Sequence, residues 1–226
     1  MDDARTRLLK AAGPIFAEQG YQAATVREIC QQAGVNLASV NYYFGDKERL
    51  YIESVKRAHG LAVDQVPLPE WPEGTAAREK LRDFVRTMVE RMIGVRRADW
   101  QMQLMMREIL QPSAACRELV ERYFRPQFEL LLNILDEMLP PRTTYHRRAQ
   151  IAFSLVGQCL YYHVARDVVA MLVPEEERQR NFSTAQLADH ITEVMLASLG
   201  DEPCWPQATE TKAGAPHVDS KQQDLV

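Results

Sequence analysis

The sequence has no uninterrupted apolar run of roughly eighteen residues, and so no stretch that would span a bilayer as a helix. Glycine is scarce, ten in 226 residues, and no segment alternates apolar and polar residues between turn signals. That pattern excludes a strand-rich sandwich or barrel. The four cysteines, Cys30, Cys116, Cys159 and Cys204, stand far apart with no C-x-x-C pair. Neither a disulfide framework nor a zinc knuckle fits such spacing. A surplus of positive charge is also missing: 27 Lys and Arg stand against 31 Asp and Glu, a net charge of −4. This excludes a polycationic nucleic-acid coat and leaves room for a local, geometrically specific DNA contact. The acidic start, Met1-Asp2-Asp3, lacks the basic and apolar regions of a secretion signal, and a reducing cytoplasm is the expected compartment.

What the sequence has is helical periodicity almost throughout. Leu8, Ala12, Ile15 and Phe16 make one stripe of a first helix, expected over 2–19 and ended by Gly20. Thr25 with Glu28 three residues on reads as a capping box opening a second helix, whose inner face is Val26, Ile29, Cys30 and Ala33. Gly34 follows where a tight turn needs a positive φ. Asn36 caps a short third helix, expected over 37–43 and anchored by Val40 and Phe44. A fourth helix is expected over 47–63. The segment 66–74 holds three prolines and a glycine and is the best internal boundary. Beyond it, helices are expected over 75–94, 98–110, 113–139 with a kink at Pro126, 143–173 and 184–199. The last residues, 201–226, show no periodicity and are expected to be a disordered tail.

Residues 25–44 thus form helix, Gly-containing turn and short helix, the helix-turn-helix pattern. Two short helices packed crosswise leave the second protruding, and a protruding helix fits the DNA major groove. Its outward positions are Leu37, Ala38, Ser39, Asn41 and Tyr42. Small side chains at Ala38 and Ser39 allow close approach, and Asn41 can pair in a bidentate manner with adenine. Thr25, Tyr42, Tyr43 and Lys47 carry hydroxyl or ammonium donors suited to phosphates; Arg27 and the cap residue Asn36 complete the DNA-facing set. The plain alternative is a helical hairpin that never meets nucleic acid. Charge alone does not decide, because residues 1–66 carry eight Lys/Arg (5, 7, 10, 27, 47, 49, 56, 57) and eight Asp/Glu (2, 3, 18, 28, 46, 48, 53, 64).

A resemblance decides it. Ala17 to Tyr21 (AEQGY), Ala23 to Val35 (AATVREICQQAGV) and Val40 to Leu50 (VNYYFGDKERL) are similar to the DNA-binding domain of TetR-type repressors. The resemblance implies an all-α fold: a three-helix helix-turn-helix DNA-binding domain over 1–65 and a helical ligand-sensing and dimerisation domain over 75–200. It implies phosphate contacts at Thr25, Tyr42, Tyr43 and Lys47, and base reading at Leu37, Ala38 and Asn41. Many members have Tyr-Tyr-His-Phe where this chain has Asn41-Tyr42-Tyr43-Phe44, so no operator sequence carries over. The segments 107–113, 123–126, 157–162 and 188–191 resemble the C-terminal domain of the subgroup typified by CecR. Double-stranded DNA with a palindromic operator, a second copy of the chain and an unidentified small molecule are the expected partners. No cofactor, metal or membrane is expected.

In the body, Phe153, Val156, Gly157, Leu160 and Val164 on the long helix, with Leu187, Ile191, Val194 and Met195 on the last, suggest a four-helix dimer interface. The plain alternative is that they cover their own core. Gln158, Tyr162 and Arg166 form a polar stripe that would orient a ligand, and Trp100, Met102, Met105 and Met106 an adaptable apolar wall. Phe84, Met88, Tyr123, Phe124 and Phe128 are further candidates. Cys159 and His163 lie four apart, without the second pair that a zinc site needs. His59, His146, His190 and His217 read as surface or capping residues. Asp167 near His163 reads as a salt bridge, since no nucleophile or phosphate loop accompanies it. No catalytic residue is expected. A regulator without a small-molecule effector, and a helical enzyme or adaptor retaining the head, are the alternative functions.

Overall fold

The computed structural model describes residues 3–199, and every regular element among them is helical. The expected tail over 201–226 lies outside the described residues. Helix α1 (Ala4–Ala23) starts at Asp3, whose Oδ1 accepts the Thr6 N–H at 2.7 Å. Its regular geometry stops at Gly20, which takes a φ of 79°. Helix α2 (Val26–Ala33) starts at Thr25, whose hydroxyl accepts the Glu28 N–H at 3.2 Å. The reciprocal half of the expected capping box is not made. The Glu28 carboxylate instead accepts from Gln19 Nε2 at 2.6 Å, tying α2 to the end of α1. Gly34 is left-handed (φ 61°, ψ 42°), as a chain reversal between α2 and α3 requires. Asn36 Oδ1 accepts the Ala38 N–H at 2.9 Å and starts α3 (Ala38–Phe44). Asp46 caps α4 (Lys47–Gln65) through the Arg49 N–H at 2.7 Å.

The body consists of α5 (Ala77–Val89), α6 (Asp99–Leu110), α7 (Ala114–Leu119), α8 (Arg125–Asp136), α9 (Tyr145–Val164), α10 (Arg166–Leu172), α11 (Glu175–Asn181) and α12 (Thr184–Ser198). Two of these run on into π-helical turns, 90–94 after α5 and 120–124 after α7. The expected single helix over 113–139 is therefore three segments. Pro126 has no N–H to offer, and its ring would meet the Arg122 carbonyl in a regular α-helix; the widened turn before it removes that clash. The expected helix over 143–173 breaks at Ala165 (φ −97°, ψ 21°). Helix α10 buries no residue, so no packing holds it on the axis of α9.

Two buried clusters organise the molecule. One joins the inner faces of α1–α4 to Leu104 and Met105 of α6 and Ala115 and Leu119 of α7. The other is built by α5, α8, α9 and α12 around Leu81, Phe84, Leu131, Leu135, Leu155 and Ile191. Fully burying each of the large side chains is worth roughly 1.5–3 kcal/mol. Helices α6 and α7 belong to the first cluster, so the packing that supports the head extends past the Pro-rich segment into the body.

Candidate DNA-reading head and ligand cavity

The short helix α3 is held from beneath by fully buried Val40 and by Phe44, over which the Arg5 guanidinium lies 5.3 Å from the ring centre. Its other positions are left to solvent. Ala38 and Asn41 are exposed, Tyr42 is 82% exposed and Leu37 55%. The rings of Tyr42 and Tyr43 meet edge to face at 4.8 Å. Ser39 is half-buried, and its N–H returns to the Asn36 carbonyl at 2.9 Å. Thr25 and Arg27 are exposed at the start of α2. Lys47 is aimed by two contacts: its Nζ donates to the Gln22 carbonyl at 3.3 Å and sits 4.7 Å from the centre of the Tyr21 ring. Most of these positions are therefore left to solvent at the start of α2 and along α3.

In the body, a cavity of about 470 Å³ opens between α4, α5, α6, α8 and α9. Its walls are mostly apolar, and both π turns contribute, Arg91 and Met92 from the first, Val120 and Phe124 from the second. Of the expected ligand contacts, Met102, Met105 and Met106 line it, as do Phe84, Met88, Phe124 and Phe128. Trp100 does not: its ring packs against Gly13 of α1, where a Cβ would collide with it. Gln158 points elsewhere, with its Nε2 on Met195 Sδ at 3.3 Å. Tyr162 packs on Phe182 at the second cluster, and Arg166 is a solvent-facing residue paired with Asp167 at 3.5 Å. The expected polar stripe is thus turned away from the cavity, because α9 presents Phe153, Val156, Leu160 and His163 to it instead.

The expected dimer set divides in the same way. Leu187, Ile191 and Met195 are buried in the second cluster, so they cover their own core and offer nothing to a partner. Val156 and Leu160 belong to the cavity wall, and Phe153 edges the cavity while staying 64% exposed. Gly157, Val164 and Val194 remain on the outside, beside exposed Tyr161, Val168, Met171 and Leu172. Nothing lies within 4 Å of the place a Cβ on Gly157 would take, so this chain alone gives that glycine no close helix neighbour.

Periodicity missed polar residues of the cavity, among them His59, Arg91, Arg97 and His163, with Arg125, Gln127 and Tyr145 also on its wall. His59 is no surface histidine. It stacks edge-on against Tyr123 at 4.8 Å and Phe124 at 5.2 Å. Burial first, then Arg97 and Arg91, push its pKa down to about 4. His163 is held down to about 4 by burial, Arg97 and Arg166, against a hydrogen bond to the Met92 backbone. Burial likewise lowers both guanidinium pKa values and lifts the Cys159 thiol to about 12. A signal for Arg91 was present: it follows Phe84 and Met88 at i+7 and i+3, an arginine at a core position of its helix.

Head and body are joined through α6. Besides Trp100 on Gly13, Arg107 Nη2 donates to the Ala17 and Glu18 carbonyls at 3.2 and 3.3 Å. Buried Glu108 accepts from the Tyr51 hydroxyl of α4 at 2.5 Å and from the Ser113 hydroxyl at 2.8 Å. Helix α4 reaches both ends of the assembly, with Lys47 at the head and His59, Ala62 and Val63 at the cavity.

Comparison with known proteins agrees with this geometry. Residues 8–53 match the family described as bacterial regulatory proteins, tetR family. Residues 77–199 match the C-terminal domain of the HTH-type transcriptional dual regulator CecR. The relative of that name from Shigella flexneri is 26% identical over 180 residues, spanning 75% of this chain and 80% of that protein. An uncharacterized HTH-type transcriptional regulator from the dhlA 5' region of Xanthobacter autotrophicus is 24% identical over 85% of this chain and 89% of its own. A TetR-like transcriptional regulator from Rhodococcus sp. RHA1 shares the fold at a TM-score of 0.59 and 20% identity, covering 87% of this chain and 95% of that one. The chain is an all-α DNA-binding transcriptional regulator of the TetR family. Within that family it belongs with the regulators whose C-terminal domain is of the CecR type.

Proposed function

We propose that this regulator is a homodimeric repressor, released from a palindromic operator by a small hydrophobic ligand bound in the body. One observation carries the reading. Helix α6 forms a wall of the cavity with Met102, Met105, Met106 and Ile109, while its Trp100 and Arg107 seat on α1 of the head. A ligand that moves those methionines moves the helix that sets the angle of the head. Residues 1–65 read DNA and 75–200 sense and dimerise, in the cytoplasm where the chromosome lies. The mechanism is a population shift bounded by the ligand's differential affinity for the two arrangements. Half-sites in successive major grooves lie about 34–36 Å apart, so a few ångströms of added separation between two α3 helices breaks half of the contacts.

The outward row of Gly157, Tyr161 and Val164 on α9, with Val168 and Met171 on α10 and Val194 on α12, supports dimerisation. Exposed apolar side chains in such number are unusual on a monomer. Light scattering should give twice the chain mass, and Val164→Glu should lower it to that of one chain. A mobility shift on the duplex upstream of the protein's own gene tests DNA reading. Lys47→Ala should weaken binding to every sequence and flatten its salt dependence by about one phosphate contact. Binding by the Lys47→Ala and Asn41→Ala variants that matches the native protein would overturn the site. A reporter on the same promoter reads the sign of control, which matters because the Shigella relative is named a dual regulator.

A further inference from the structure

The cavity is oily, yet it holds two cations that no charge among the described residues neutralises. Arg91 is 5% exposed; its Nε donates to the Val66 carbonyl at 2.6 Å, while its Nη1 is buried without a partner. Arg97 donates from Nη2 to the Arg91 carbonyl at 2.7 Å, and its Nε is likewise buried and unpartnered. No Asp or Glu lines the cavity. Neither guanidinium forms an ion pair among the described residues, although eight other Lys and Arg side chains there do so within 4 Å of a carboxylate. The Nε2 of His59 is a third buried polar atom with no partner.

A buried cation costs several kcal/mol unless an opposite charge meets it. Here no described carboxylate meets the two guanidiniums, and the space for an anion is present. A guanidinium offers a planar fork of N–H donors that fits an oxyanion with two oxygens. The rest of the wall, Met88, Met102, Met106, Phe84 and Phe128 among it, suits an apolar body of variable shape. We propose that the effector is an organic monoanion, an apolar body ending in a carboxylate or similar oxyanion head group that Arg91 and Arg97 bind. The proposal rests on the ligand-sensing reading and adds its charge.

The test uses the full chain and two matched pairs of probes. Decanoate and 1-decanol share a chain length, and 2-naphthoate and 2-naphthamide share a ring system; within each pair only one is an anion. Calorimetric titration should show the anion binding at least tenfold tighter in at least one pair. Arg97→Gln should remove that preference and leave the neutral probe's affinity unchanged, which also shows that the cavity is still folded. Arg97→Lys should keep most of the preference. Equal or tighter binding of the neutral members to the native protein would overturn the anionic effector and leave the sensing cavity standing. Binding of none of the four would overturn the sensing cavity and the anion with it.

Discussion

The head and the body carry their functional side chains in opposite ways. On the head, the residues proposed to face DNA are what packing leaves over: Val40 and Phe44 go inward, and Leu37, Ala38, Asn41 and Tyr42 remain outside. In the body, the proposed ligand surface is an interior one. Phe84, Met88 and Leu131 belong to a buried cluster and line the cavity as well. An outward site can be changed with little effect on stability. An inward one shares its atoms with the core, so binding and folding draw on the same contacts.

That contrast can be tested hardest where stability and assembly part company. Ile191→Ala, in the fully buried stripe of α12, should cost roughly 2–5 kcal/mol in urea unfolding. Val194→Asp, three residues on and 41% exposed, should leave intrinsic stability nearly intact and lower the molecular mass instead. Equal effects in both assays would erase the distinction between core and outer face.

Acid should unsettle the cavity before the head. His59 and His163 hold native pKa values near 4 against an ordinary 6.5, so they stay neutral while the unfolded chain takes up protons. Above pH 6.5 neither state is protonated and stability is unaffected. Between pH 6.5 and 4 the unfolded state binds more protons, and stability falls by up to about 3 kcal/mol per histidine. Comparing native protein with His59→Gln across that window isolates this effect from titrating carboxylates. A difference between the two that does not change with pH would show that the histidine titrates normally.

Smaller effects belong to the surface. Asn41→Ala should remove roughly 1–3 kcal/mol of base discrimination with an unchanged unfolding midpoint. Arg166→Ala should be nearly silent, within about 0.5 kcal/mol in stability and without effect on ligand binding, because its ion pair is exposed on α10. A clear loss of ligand affinity there would return the polar stripe of α9 and α10 to the site.

The head was legible in the sequence because its signals are local. Thr25, Gly34, Asn36 and Asp46 each start or stop a helix through a bond or backbone angle within three or four residues of themselves. The body was less so, because α9 is enclosed on more than one side. Its apolar stripe over Phe153, Val156 and Leu160 suits a partner helix and a cavity wall equally well; the fold brings all three to the cavity and still leaves Phe153 exposed. Trp100 shows the same limit. An aromatic residue beside methionines reads as one wall, but the turn of α6 sends Trp100 to Gly13 and Met102 to the cavity. Arg97 escaped because an arginine among charged neighbours reads as solvated, whereas Arg91 sat at a core spacing that could have marked it.

Pro126 stands directly after the widened turn that brings Val120 and Phe124 to the cavity. An ordinary residue there would let the backbone tighten back to a regular spiral whenever the interior stood empty. An imino acid cannot close that register, so the widened wall is written into the covalent chain itself.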